Sequence, residues 1–280
     1  MDSTRLAYSG RAPAHTEMGA RAARSGAWFY TETVLRAMRA YFWPILLYSV
    51  GQPLLYMVAL GVGLGELVDS GSGPVDGVDY LVFVAPALLV STVVMSASAE
   101  MTYPVMAGFK WHRLYHGPAA SPVSPGQIAV GHLVAVMIRF AVQAAIFWLI
   151  MLAFGAAPSG WSWLVVPIGV LTATAFAAPL QAYASTLKDE GFQFALIQRF
   201  VVMPMFLFAG TFFPLSAMPV YLHWIGWISP IWHGTQLARL ASYGAEVGVL
   251  MVIVHLVFLL ACTLLGVRWA VRSYTRRLTS

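Results

Sequence analysis

The chain has 280 residues, of which 59% are hydrophobic and only 10% charged, with a formal net charge of +5. A soluble globular chain carries roughly 25% charged residues, so this one lacks the groups to cover a folded surface in water, and it fits a bilayer instead. The positive balance forms no nucleic-acid stripe, because the basic residues sit in separate clusters, and the single cysteine, Cys262, excludes an internal disulfide and a cysteine-based metal cluster.

Residues 1–26 are polar, hold four arginines and lack an apolar centre, so they do not read as a signal peptide. Residues 1–24 are expected to form a flexible N-terminal tail. In 25–42, Trp28, Leu35, Met38 and Phe42 share one helical face, and Glu32, Arg36 and Arg39 another. This predicts an amphipathic helix along the membrane surface, with an N-terminal extension of the first span as the alternative. A spanning helix needs ~20 mostly apolar residues. Six stretches qualify, near 43–64, 80–102, 127–154, 163–187, 196–215 and 247–269. A further apolar stretch, 219–233, is too short to cross, and its WIGWIS core and Pro230 point to a re-entrant or interfacial segment. The expectation is an all-α polytopic protein: a transmembrane domain over 43–269, a re-entrant segment between helices 5 and 6, and a short tail at 270–280.

Orientation follows from the basic residues. Fourteen of the 16 lie before the first span, in the second and fourth loops or the start of the fifth span, and around the C-terminal end. The opposite side holds Arg239 with Glu66, Asp69, Asp76, Asp79 and Glu246. The positive-inside rule then places both termini in the cytoplasm. The Gly- and Asp-rich stretch 66–79 becomes an outer loop, and its acids lack the spacing of a calcium-binding loop. Gly61, Gly63 and Gly65 predict close helix packing late in the first span.

Several chemistries are missing. The two lysines, Lys110 and Lys188, follow Phe109 and Leu187, so no Gly-Lys-Ser/Thr phosphate loop exists. His112 and His116 have metal-helix spacing, but the string between them, HRLYH, lacks the general-base Glu, and no cofactor or metal is expected. Arg139 lies about 12 residues into the third span and should face protein or water. Glu100, near the inner end of the second span, is its candidate partner. Snorkelling to the headgroups and contact with a transported substrate are the other readings of Arg139.

Three strings carry a family resemblance: DYLVFVAPALL at 79–89, EMTYPVMAGFKWHRLYHGPAASPVSP at 100–125, and PMFLFAGTFFPLSAMP at 204–219 followed by SPIWHGTQLAR at 229–239. They resemble ABC-2 type permeases, most of all the branch containing the nodulation lipooligosaccharide and daunorubicin exporter permeases. The resemblance covers nearly all of the chain after residue 25. It implies a bacterial plasma-membrane half-transporter that moves a lipidic, glycolipid or amphiphilic drug-like substrate outward by alternating access. The implied partners are two copies of a separate ATP-binding subunit and a second permease, as homo- or heterodimer, with membrane lipid around them.

Carried onto this sequence, the resemblance makes 104–125 the segment coupled to the ATPase, with Phe109, Lys110, Trp111, His112, Arg113 and Tyr115 as its bulky or charged members. Pro104 should open a short helix there, and Pro118, Pro122 and Pro125 should end it. The resemblance also implies an outer gate containing Phe208, Gly210, Phe212 and Phe213. A membrane-embedded lipid-linked transferase and a scaffold subunit are the rival classes. The first expects acid or His clusters at a membrane face, and the four acids of 66–79 have no His among them.

Overall fold

The computed structural model describes residues 14–71, 73–189 and 191–279; Arg5, Arg11 and most of the expected N-terminal tail lie outside these. Among the described residues the regular structure is helical, apart from one isolated bridge between Val75 and Val78. Five helical runs are long and apolar enough to cross a membrane: Thr16–Gly71, Tyr80–Phe109, Pro125–Ala153, Ser162–Thr186 and Val249–Thr279.

The first run combines α1 (His15–Met38), a 3-10 turn, α2 (Phe42–Tyr56), a π-helical stretch at Met57–Leu64 and α3 (Gly65–Gly71). Pro53 sits inside α2, where it removes a backbone donor, and the π stretch begins four residues later. Of the three glycines predicted to pack closely, only Gly61 meets a neighbouring helix. A methyl added there would lie 2.3 Å from Leu81 Cδ1, whereas Gly63 and Gly65 face only backbone of their own stretch.

The second run is α4 (Tyr80–Glu100) followed by a short α5 (Tyr103–Phe109). α4 is apolar all round and accordingly forms the core, with most of its residues buried. Asp69 Oδ1 accepts a hydrogen bond from Tyr80 N at 3.0 Å, satisfying a free donor at the start of α4. After the short α6 (His116–Ala119), Ser124 and Gln127 form a reciprocal capping box that opens α7 (Pro125–Ala153). Gln127 Nε2 also donates to Ala22 O and Ala23 O of α1, at 3.3 and 2.8 Å. α1 crosses the start of α7 at Gly131, where a methyl would lie 2.4 Å from Ala27 O.

α8 (Val165–Thr186) packs most extensively against the last helix, α13 (Val249–Thr279). They approach closely at Gly266, where a methyl would lie 2.5 Å from Pro179. Between them in sequence come α9 (Gln193–Ile197), a π-helical stretch, α10 (Met203–Phe208), α11 (His223–Trp227) and α12 (Pro230–Tyr243).

The structure differs from three sequence expectations in extent. The helix expected over 196–215 ends at Phe208, because Gly210 turns the chain with φ +78° and Pro214 cannot donate. At ~1.5 Å per residue the run Gln193–Phe208 is about 24 Å long, shorter than a ~30 Å hydrocarbon core. The stretch expected to be re-entrant or interfacial over 219–233 runs into α12, which begins at Pro230, is N-capped by Ser229, ended by Gly244 at φ +80°, and wedged between α4 and α8. The segment expected to be a tail at 270–279 is helical and continues α13, with Tyr274 fully buried.

Candidate functional site

One end of the bundle, here called the base, carries the loop 101–124, α1 and the end of α13. Pro104 lies in the first turn of α5. That helix stops at Phe109, well before Pro118; the turn is closed instead by His112 N donating to Ala107 O at 2.8 Å and Tyr115 N to Gly108 O at 3.3 Å. Arg113 takes φ +48° at its apex. The six predicted coupling residues divide into two groups. Lys110, Trp111, His112 and Arg113 are exposed, as is Leu114. Phe109 and Tyr115 are buried and point into the protein.

These two rings build an aromatic floor. Phe109 meets Tyr115 and Tyr274 edge-on, at 4.6 and 4.8 Å between centroids, and Tyr30 of α1 lies 6.2 Å from Tyr115. Aromatic pairs in this range attract beyond their burial. The Tyr115 hydroxyl lies 2.7 Å from His132 Nδ1 of α7. Burial, reinforced by Tyr274 and Tyr30, raises the Tyr115 phenol well above its ordinary value, so it stays protonated at neutral pH. The Arg277 guanidinium stacks 4.2 Å over the Phe109 ring and donates to Ser185 O at 2.7 Å. Gln181 Nε2 donates to Ala129 O and Tyr274 Oη, joining α7, α8 and α13. The exposed apex therefore stands on a floor tied to four helices. Lys110 Nζ adds an exposed ion pair with Asp189 at 3.5 Å, of little energetic weight.

Above the floor, Arg139 Nη1 donates to Glu100 in an ion pair. α7 is about 43 Å long at ~1.5 Å per residue, longer than a ~30 Å hydrocarbon core. Its midpoint, Arg139, comes level with the last residue of α4 and shares an apolar cavity of about 220 Å³ with Phe42, Ile45 and Ser49 of α2. A row of polar contacts continues along α4: Ser98 with Gln198, Ser96 with Gln143, and Ser91 with Thr211, at 3.1, 2.9 and 3.1 Å.

At the opposite end, the predicted gate residues surround the turn after α10. Gly210 is buried, and its positive φ, not crowding, is what demands glycine. Phe208 and Phe212 are half-buried, Phe213 is exposed, and Phe212 meets Phe206 edge-on at 5.1 Å. The residue that shapes this turn is Arg239, which sequence reasoning counted only as an outer charge. It is 2% exposed, donates through Nη2 to Gly210 O at 2.8 Å and through Nε to Phe83 O at 3.3 Å, and lies 3.6 Å over the Phe83 ring. Tyr80 Oη also donates to Phe212 O, at 3.2 Å. The SPIWHGTQLAR string could have flagged Arg239, since it is a cation nine residues into an amphipathic helix.

A family model described as ABC-2 type transporter matches residues 33–243. The chain is similar to Nodulation protein J of Rhizobium leguminosarum bv. viciae, with 26% identity over 232 residues, covering 79% of this chain and 86% of that protein. Nodulation protein J of Rhizobium meliloti (strain 1021) is 25% identical over 229 residues, covering 79% and 85%. The inner membrane transport permease YadH of Escherichia coli (strain K12) is 26% identical over 194 residues, covering 68% and 73%.

Proposed function

Because the chain belongs to the ABC-2 type transporter family, and so is a membrane permease subunit of an ABC transporter, we propose that it forms half of an outward-directed pathway driven by a separate ATP-binding subunit. Two such subunits would serve two permeases, paired as a homo- or heterodimer. The cargo class is lipidic, glycolipid or amphiphilic drug-like. The apolar, aromatic helices suit such a molecule, and the names of the relatives, Nodulation protein J and an inner membrane transport permease, are compatible with export. In this reading the chain crosses the bacterial inner membrane six times. Gln193–Phe208 is the short fifth crossing, the re-entrant segment expected over 219–233 continues through α12, α1 lies along the inner surface, and both termini face the cytoplasm.

The observation that carries the reading is the base. Lys110–Leu114 form an exposed apex, while Phe109 and Tyr115 tie its two sides to α1, α7 and α13, and α13 is bonded in turn to α8. A push on such an apex reaches four helices without first unfolding a loop, which is what alternating access requires of a coupling element. Around Glu100–Arg139 the pathway half would be held by protein, since the two opposite charges pair with each other. At the far end the turn fixed by Arg239, with Phe208, Gly210, Phe212 and Phe213, would be the gate.

The test is co-purification. Wild-type permease in detergent should retain an ATP-binding subunit. Trp111→Ala and Arg113→Ala, both on the exposed apex, should keep membrane insertion but weaken that binding or uncouple ATP turnover from transport, by about 2 kcal/mol where an interface anchor is lost. If no ATPase accompanies the wild type, the permease assembly proposed here is wrong; if both variants bind and turn over normally, the apex is not the docking point.

A further inference from the structure

Beside the aromatic floor, α8 and α13 enclose a cavity of about 550 Å³. Its lining brings Lys188, Arg272, Arg276 and Arg277 together with Ser185 and Ser273, and holds no carboxylate among the described residues. Arg277 is engaged with Ser185 O and the Phe109 ring, and the two serine hydroxyls lie 2.6 Å apart. Lys188, Arg272 and Arg276 form no ion pair among the described residues. Cations around hydroxyls, with no carboxylate in the described lining, are the chemistry that recognises a phosphodiester.

A second cavity, of about 430 Å³, lies further from the base between α8, α13 and the helical stretch that starts at Gln193. It is lined by Phe176, Pro179, Leu180, Ile197 and Val201, and it shares Trp269 with the basic cavity. The order along both helices agrees. On α8 the apolar residues at 176–180 precede Ser185, with Lys188 just past the helix end, and on α13 Cys262 and Trp269 precede Arg272 and Arg276. From Cys262 to Arg276 the helix rises about 21 Å at ~1.5 Å per residue. Trp269, an amphipathic ring, stands at the junction, as aromatic residues do at a membrane–water boundary.

We propose that these two cavities are one binding site for an anionic phospholipid of the cytoplasmic leaflet. Its phosphodiester sits among Lys188, Arg272 and Arg276, and an acyl chain follows the α8–α13 groove past Trp269. The apolar continuation selects a lipid over a free phosphate or an acidic peptide, neither of which would fill it. The leaflet assignment rests on the orientation proposed above; the binding chemistry does not.

The experiment uses full-length permease in detergent, stripped of lipid and melted with phosphatidylglycerol, with phosphatidylcholine of the same chains, or with inorganic phosphate. Phosphatidylglycerol should raise the melting temperature of the wild type well above either control. Arg272→Gln/Arg276→Gln should melt normally without lipid and bind phosphatidylglycerol roughly 30-fold more weakly, from the usual attraction of two basic side chains to an anionic leaflet. Should that variant fail to fold, Lys188→Gln decides, with an expected loss of about fivefold. Equal stabilisation by phosphatidylcholine, equal stabilisation by inorganic phosphate, or unchanged affinity in the variants would overturn the proposal. So would a double variant that keeps its lipid response and loses only the ATPase. Detergent binding needs neither a cargo nor an ATPase, so failure here leaves the transport reading standing, and the reverse also holds.

Discussion

Two arginines inside this bundle are partnered in different ways. Arg139 has a carboxylate, Glu100, as its partner. Arg239 has backbone carbonyls and an aromatic face, with no acid in ion-pair contact among the described residues. The cost of removing each follows from what is left behind. Losing Arg139 strands a partly buried carboxylate, whereas losing Arg239 strands neutral acceptors, at about 1–3 kcal/mol for each buried group left unmade. Arg139→Gln and Glu100→Gln should each lower the melting temperature of the purified permease, and their combination should cost less than the sum, because contacting residues couple by roughly 0.5–3 kcal/mol. Arg239→Gln should destabilise by a similar amount, but Glu100→Gln should add to it fully. Additivity at the first pair would detach Arg139 from Glu100; coupling at the second would mean that the two arginines share a network.

At the scale of elements, glycine sets the helix spacing at a few points, and each is specific. Gly266 lets α13 lie against Pro179, and Gly131 lets α7 lie under Ala27 of α1. In both cases the atom in the way belongs to backbone or a proline ring, which has little room to shift. Gly248, just before α13, has open space around the position a methyl would take. Gly266→Ala should therefore cost about 1–3 kcal/mol through overpacking, while Gly248→Ala should leave thermal melting of the purified protein unchanged. Equal melting curves for the two variants would show that α8 and α13 are not held at this distance. The same comparison bears on the lipid groove, which runs along this helix pair.

For the whole molecule, the arrangement of the base predicts topology. α1, the 101–124 loop and the end of α13 meet in one cluster through Tyr30, Tyr115 and Tyr274, so they occupy one side of the membrane. The α3 end and the 73–79 turn lie at the other, where Asp76 Oδ2 accepts a hydrogen bond from Tyr243 at 2.7 Å. In a Cys262→Ala background, a cysteine at exposed Ser70 should react with an impermeant reagent in intact cells, and one at exposed Thr279 should react only after lysis. Labelling at Thr279 in intact cells would reverse the orientation and move the proposed lipid site to the outer leaflet.

Composition and pattern alone establish a membrane protein made of helices, because charge content and apolar run length depend on solvent and not on contacts. The ends of α4, α7 and α8 were legible to within two residues for the same reason: Asp79, the Ser124–Gln127 box and the polar stretch after Thr186 mark them locally. The missing phosphate-loop lysine was equally plain. What the sequence did not disclose depends on partners distant along the chain. Phe109 and Tyr115 look like surface aromatics in a polar loop until α1, α7 and α13 close over them. The polar 270–279 segment resembles a tail until Tyr274 finds Phe109, and Arg239 resembles an outer charge until α12 folds between α4 and α8. Periodicity reports which face of a helix is apolar, but which polar side chain is buried is decided by the carbonyls and rings that tertiary packing brings to it.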